Sequence, residues 1–170
     1  LANGELASAT VIREFDKWFR KDLPAMLEMP VFPVEELRLQ WDNLVLEQNK
    51  KLADYASSTG TRMGTTVVAF LIVGENYYIM NIGDSRAYMI TDAIYQLTKD
   101  QTYVQFEMDA GRMTWEEAQV HPQRNVLLQC IGASEQINPD YFIGQANPDT
   151  TFLLCSDGFR HLISPDEIYE

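Results

Sequence analysis

The chain has 170 residues, the size of one ordinary domain, and 46% of them are apolar, enough to bury a core. Thirteen basic against 25 acidic residues give a formal net charge of -12. That balance argues against a nucleic-acid surface, which needs clustered Lys and Arg, and against anionic membranes. An acidic protein still binds phosphate where a metal ion reverses the local field. No apolar run is long enough to span a bilayer, and no signal peptide is visible. Cys130 and Cys155 lie among apolar neighbours without CxxC spacing, so both are read as reduced and buried. These features favour the cytoplasm. The chain starts with Leu1 and stops at Glu170 inside a helix-like segment, so it is expected to be a piece of a longer protein.

Residues 5–20 carry Leu6, Ala9, Ile12, Phe15 and Phe19 at helical spacing, which predicts an amphipathic helix with those side chains inward. Pro24, Pro30 and Pro33 break the next stretch into a loop. Residues 34–57 resume the helical pattern through Leu37, Trp41, Leu44 and Leu52. The texture then changes. "TTVVAFLIVG" (65–74) is β-branched and reads as a buried strand, paired through Gly74-Glu75 with "NYYIMNI". "RAYMIT" (86–91) and "IYQLT" (94–98) make a second hairpin, so the sheet is largely antiparallel. Residues 99–120 return to helix, and Thr114 with Glu117 forms a capping-box pattern. Residues 121–149 are rich in Pro, Asn and Gly, with short apolar runs at Val126–Leu128 and Tyr141–Ile143. "TTFLLCS" (150–156) is another strand, and Ser164-Pro165-Asp166-Glu167 opens a helix. Helices before and after an antiparallel sheet imply an α+β layered domain.

Two acids share a setting. Asp84 and Asp157 each follow an apolar strand, with Gly83 before the first and Gly158 after the second. Glycine lets the backbone turn sharply or approach a ligand. Carboxylates suit hard cations such as Mg²⁺ and Mn²⁺, and a short Asp side chain at a strand end is held in a fixed place. Each acid, taken alone, also reads as a turn residue or a helix cap.

The segments "NGELAS" (3–8), "MGTTVVAFLI" (63–72), "NIGDSRAYMI" (81–90), "QLTKDQTYVQ" (96–105), "AGRMTWEEAQVHPQRNVLLQCIG" (110–132) and "FLLCSDGFRHLISPDEI" (152–168) follow one another in a known order. Together they resemble the metal-dependent type 2C protein Ser/Thr phosphatases in their bacterial form. GDSR and SDG are individually weak; with GTT and HPQRN between them the combination is strong. The resemblance implies one type 2C phosphatase-like domain over 1–170, incomplete at both ends. It implies a four-layer αββα sandwich, present in part, with a flap-like insertion over 99–131. It also implies Mn²⁺ or Mg²⁺ as cofactor and a phosphorylated protein as substrate, a Ser/Thr kinase being a fair candidate, with metal-activated water attacking phosphorus in line. By the same resemblance Asp157 matches a ligand of the metal core and Asp84 a ligand of an additional, weaker metal. Gly83, Gly158, Ser85 and Arg86 shape their surroundings.

The departures matter as much. The family's first metal aspartate, in a DGMGG-type motif, would lie before Leu1, and its last, in a DNxT-type motif, after Glu170. Two ligands on separate loops are too few for a site that must also hold substrate, so the 170-residue chain is expected to have little or no phosphatase activity. Gln101 stands where the family usually has His, a residue that is not a metal ligand. His121 and His161 are read as loop and helix-start residues, since a lone His carries no signal. Arg124 suits either an ion pair with a flap carboxylate, the favoured reading, or substrate phosphate. A non-catalytic binding module is the alternative. A nuclease or phosphodiesterase is a weaker one, lacking a basic surface. Strand edges uncovered by truncation would favour dimerisation, which a clean monomer on size-exclusion chromatography would contradict.

Overall fold

The computed structural model describes residues 4–160 and 167–168. Helix α1 (Gly4–Lys21) is followed by α2 (Leu23–Leu27) and the long α3 (Val34–Thr59). α2 is a five-residue helix where the prolines predict only loop. Pro24 sits in its first turn, where a missing N–H costs nothing and φ is already set for the helix.

The strands alternate as their sequences require. β1 (Val67–Val73) and β2 (Asn76–Ile82) pair antiparallel, with Val67 opposite Ile82, and β5 (Asp140–Gln145) pairs on the other side of β2. The second sheet has the order β4-β3-β6, from β3 (Arg86–Ile90), β4 (Ile94–Gln96) and β6 (Thr151–Cys155). Two short helices, α4 (Tyr103–Asp109) and α5 (Trp115–Val120), lie in chain order between β4 and β5. Thr114 and Glu117 close the expected capping box on α5. α6 (Asp157–Arg160) begins directly after β6. The expected helix opening at Ser164, and His161, lie outside the described residues except for Glu167 and Ile168.

Period two along β2 builds two cores. Tyr78, Met80 and Ile82 pack with Ala69 and Leu71 of β1 against α1 and α3. Tyr77 and Ile79 point the other way and meet Ala87 of the second sheet, with Phe70, Met89, Phe142 and Phe152 around them. Helices, first sheet and second sheet therefore form successive layers of an α+β fold, with two antiparallel sheets as expected.

The helical layer shows where periodicity misleads. α1 buries Ala7, Val11, Phe15 and Trp18, whereas Leu6 and Ile12 are 46% and 66% exposed and Ala9 is exposed as well. Both stripes have helical spacing. The buried one carries Trp18, whose ring lies 5.5 Å edge-on from Trp41, with Phe15 at 6.1 Å. Aromatic burial on α3 sets the rotation of α1. Cys130 is buried but Cys155 is only partly so, and both are free thiols.

Trp41 is fully buried at the meeting point of these rings. Trp41→Ala is expected to lower unfolding free energy by about 3–5 kcal/mol in urea denaturation. An unchanged midpoint would show that the α1–α3 contact is not what holds the helical layer.

Candidate active site

The β3–β6 register brings the two acids together. Arg86 pairs with Cys155, and each step along β3 is matched by one step back along β6. Asp84 lies two residues before Arg86, and Asp157, the first residue of α6, lies two residues after Cys155. Both acids therefore lie at the same end of the second sheet, although 73 positions separate them in sequence.

Their settings differ more than their sequences suggest. Asp84 is 8% exposed, while Asp157 is exposed and its Oδ1 accepts from Gly158 N–H at 2.8 Å. Gly83 has φ +102°, and a Cβ there would overlap the Thr66 side chain, so only glycine fits. A Cβ at Gly158 would meet only Ser156 Oγ, at an ordinary 3.8 Å. The glycine argument holds for the first acid and not for the second.

Every residue flanking Asp84 is tied down. Gly83 N–H donates to Gln101 Oε1 at 2.6 Å, and Gln101 N–H donates back to Gly83 O at 2.9 Å. Ser85 Oγ bonds Thr66 Oγ1 at 2.8 Å. Arg86 grips Asp100 through Nε and Nη2, both at 2.7 Å, and gives Nη1 to the Tyr88 hydroxyl at 3.0 Å. Burial alone would lower the Arg86 pKa, but the hydrogen bond and charge of Asp100 outweigh it and hold the guanidinium above its ordinary value. Arg86 is thus a permanent cation committed to Asp100, and it shapes the turn from below. The roles of Thr66, Asp100 and Gln101 are not visible in the sequence because their partners lie 14 to 19 positions away. The only sequence signals were the doubled Thr after Gly64 and the acid-amide pair after Lys99.

Other residues fall elsewhere. Arg124 is exposed and shares a cleft of about 300 Å³ with Arg86, Asp100, Gln119, Trp115 and Asn125. Among the described residues it makes no ion pair; the flap carboxylate Glu107 is held by Arg112 at 2.7 Å instead. The favoured ion pair of Arg124 with a flap carboxylate is therefore not found among the described residues. His121 accepts from Gln123 N–H at 3.1 Å through Nδ1, a loop role.

The donor set fits a hard divalent cation in part. Mg²⁺ and Mn²⁺ are commonly held by one or two carboxylates with water or phosphate in the remaining positions. Asp84 and Asp157 are the residues that would supply such a pair. Among the described residues no cluster of three or more His, Cys, Asp or Glu side chains is placed to hold a metal.

Comparison with known proteins decides the family. Residues 2–169 match the family model described as protein phosphatase 2C. The chain belongs to the protein phosphatase 2C family. It is 33% identical over 171 residues to the serine/threonine phosphatase stp of Listeria innocua, covering 98% of this chain and 65% of that protein. The chain thus spans about two thirds of the relative's length. A solved S. agalactiae serine/threonine phosphatase superposes with a TM-score of 0.85 at 28% identity, over 96% of this chain and 66% of that one. The catalytic domain of the serine threonine protein phosphatase PstP, in complex with two manganese ions, superposes with a TM-score of 0.77 at 30% identity, over 98% of this chain and 66% of that one.

Gly83→Ala combines a disfavoured φ with the Thr66 overlap and is expected to cost about 1–3 kcal/mol in urea denaturation. A variant as stable as the parent would mean that the turn relaxes freely.

Proposed function

We propose that this chain is the core of a Mn²⁺- or Mg²⁺-dependent protein serine/threonine phosphatase acting on phosphoserine and phosphothreonine. The observation that carries the reading is the convergence of Asp84 and Asp157 at one sheet end, in a chain of the protein phosphatase 2C family. The serine/threonine phosphatase names of its relatives and the two manganese ions of the PstP structure support it.

In this reading Asp157, matched to the metal core, would also serve the additional cation matched to Asp84, so that the two carboxylates share one ion. A cation so held lowers the pKa of its water and neutralises phosphate oxygens. The protein supplies placement: Gly83, Ser85 and Arg86 fix the loop that carries Asp84, and Asp157 is exposed at the start of α6, just after β6. Arg124, exposed in the neighbouring cleft and without an ion pair among the described residues, is the side chain proposed to meet the phosphoprotein. The substrate is proposed to be a phosphorylated protein, with a Ser/Thr kinase among the candidates. Two free cysteines, and no described helix long and apolar enough to cross a membrane, support a cytoplasmic setting. Residues 1–170 alone are proposed to be inactive, because two carboxylates do not complete a centre that also binds substrate.

The test is Mn²⁺-dependent phosphate release from a phosphothreonine peptide, by residues 1–170, by the full-length protein, and by its Asp157→Ala variant. Release by the full-length protein alone, lost in the variant, is expected. Release by residues 1–170 would overturn the incomplete-site part. No release by the full-length protein would favour a non-catalytic binding module.

A further inference from the structure

We infer that Gln101 is a positioning residue for the cation site, acting on Asp84 through the backbone of Gly83. The inference rests on the proposed metal-dependent activity and names a residue outside its ligand set.

Gln101 is 8% exposed, and its side chain makes three contacts. Oε1 accepts from Gly83 N–H at 2.6 Å, while Nε2 donates to Asp140 Oδ2 at 2.8 Å and reaches Asn81 O at 3.4 Å. The amide orientation follows from the chemistry: a carboxylate only accepts and a backbone N–H only donates, so Nε2 must face Asp140 and Oε1 must face Gly83. The backbone of Gln101 adds a second pair of ties. Its N–H donates to Gly83 O at 2.9 Å, and its C=O accepts from Leu128 N–H at 2.8 Å.

Gly83, the residue preceding Asp84, is thus held at both its N–H and its C=O by one residue. Asp100, the neighbour of Gln101, grips Arg86 on the far side of Asp84. Adjacent residues hold the turn at both ends. Through Asp140 the bracket is anchored to β5 of the first sheet, and through Leu128 to the return of the flap-like insertion. Gln101 is the residue at which the carboxylate turn, the first sheet and the insertion meet.

The side-chain requirement is specific. The position needs one acceptor for Gly83 and one donor for Asp140, on a neutral group. A glutamine amide meets it, as does a neutral imidazole with one bare and one protonated nitrogen. Leucine has neither, and a glutamate would set a second carboxylate against Asp140. A group that orients a metal ligand through such a contact typically changes metal affinity about 10–100-fold when removed.

The experiment compares Gln101→Leu and Gln101→His with the parent in the full-length protein. It reads the Mn²⁺ concentration for half-maximal phosphate release, kcat at saturating Mn²⁺, and hydrogen exchange at the Gly83 amide. Gln101→Leu is expected to raise the Mn²⁺ requirement about tenfold or more, to spare kcat by comparison, and to lose protection at Gly83. Gln101→His is expected to recover both readouts at neutral pH. A folded Gln101→Leu with parental Mn²⁺ requirement and Gly83 protection would overturn the inference. So would a fall in melting temperature with neither readout moved, since that is a purely structural role. If the parent releases no phosphate, the proposed activity fails on its own. Mn²⁺ affinity from water-proton relaxation, with Gly83 exchange, then decides the role of Gln101 by the same criteria.

Discussion

The turn from Gly83 to Arg86 is the constraint on which the site depends. A short carboxylate is useful to a cation only if its oxygens are already in place, since ordering a loop at the moment of binding costs conformational entropy. Nothing in GDSR alone supplies that order. It comes from three distant residues: Thr66 on the approach to β1, and the adjoining Asp100 and Gln101 after β4. Thr66 serves twice, bonding Ser85 and filling the space that a side chain on Gly83 would need. The steric limit and the hydrogen bonds therefore select the same backbone geometry.

That turn is in turn placed by the sandwich. β2 is buried on both faces because α1 and α3 cover one and the second sheet covers the other. The chain leaves β2 in the first sheet and enters β3 in the second across only three residues, Gly83 to Ser85. A crossing so short between two packed layers cannot wander. The antiparallel register of β3 with β6 then delivers Asp157 to the same end. Sheet packing, a three-residue crossover and strand register together assemble a site from residues far apart in sequence.

The strands were legible because β-branched and aromatic runs between turn residues have few other uses. β1, β2, β3 and β6 fall within or on their expected spans, and the capping box at Thr114 is formed. The α1 helix was legible as a helix but not in its rotation: two stripes have the same period, and only contact with Trp41 chooses between them. α2 was missed because Pro24 acts as a helix starter in its first turn rather than as a breaker. Of the site, the acids and Gly83 could be read from local sequence. The roles of Asp100, Gln101 and Thr66 could not, since each is defined by a partner in another element. Gln101 in particular looked like a substitution of little consequence, and its hydrogen bonds make it a hub. Arg124 was expected to pair with a flap carboxylate; among the described residues it makes no ion pair, and Glu107 is held by Arg112.

Asp84 and Asp157 are proposed to serve one cation. Mn²⁺ titration of the full-length protein, its Asp84→Asn and Asp157→Asn variants and the double variant tests this directly, with free Mn²⁺ followed by electron paramagnetic resonance. Two ligands of one ion should couple, so each single change is expected to weaken the same binding event, and the double variant to lose no more than the worse single one. Losses that simply add, or Mn²⁺ binding indifferent to both substitutions, would contradict it.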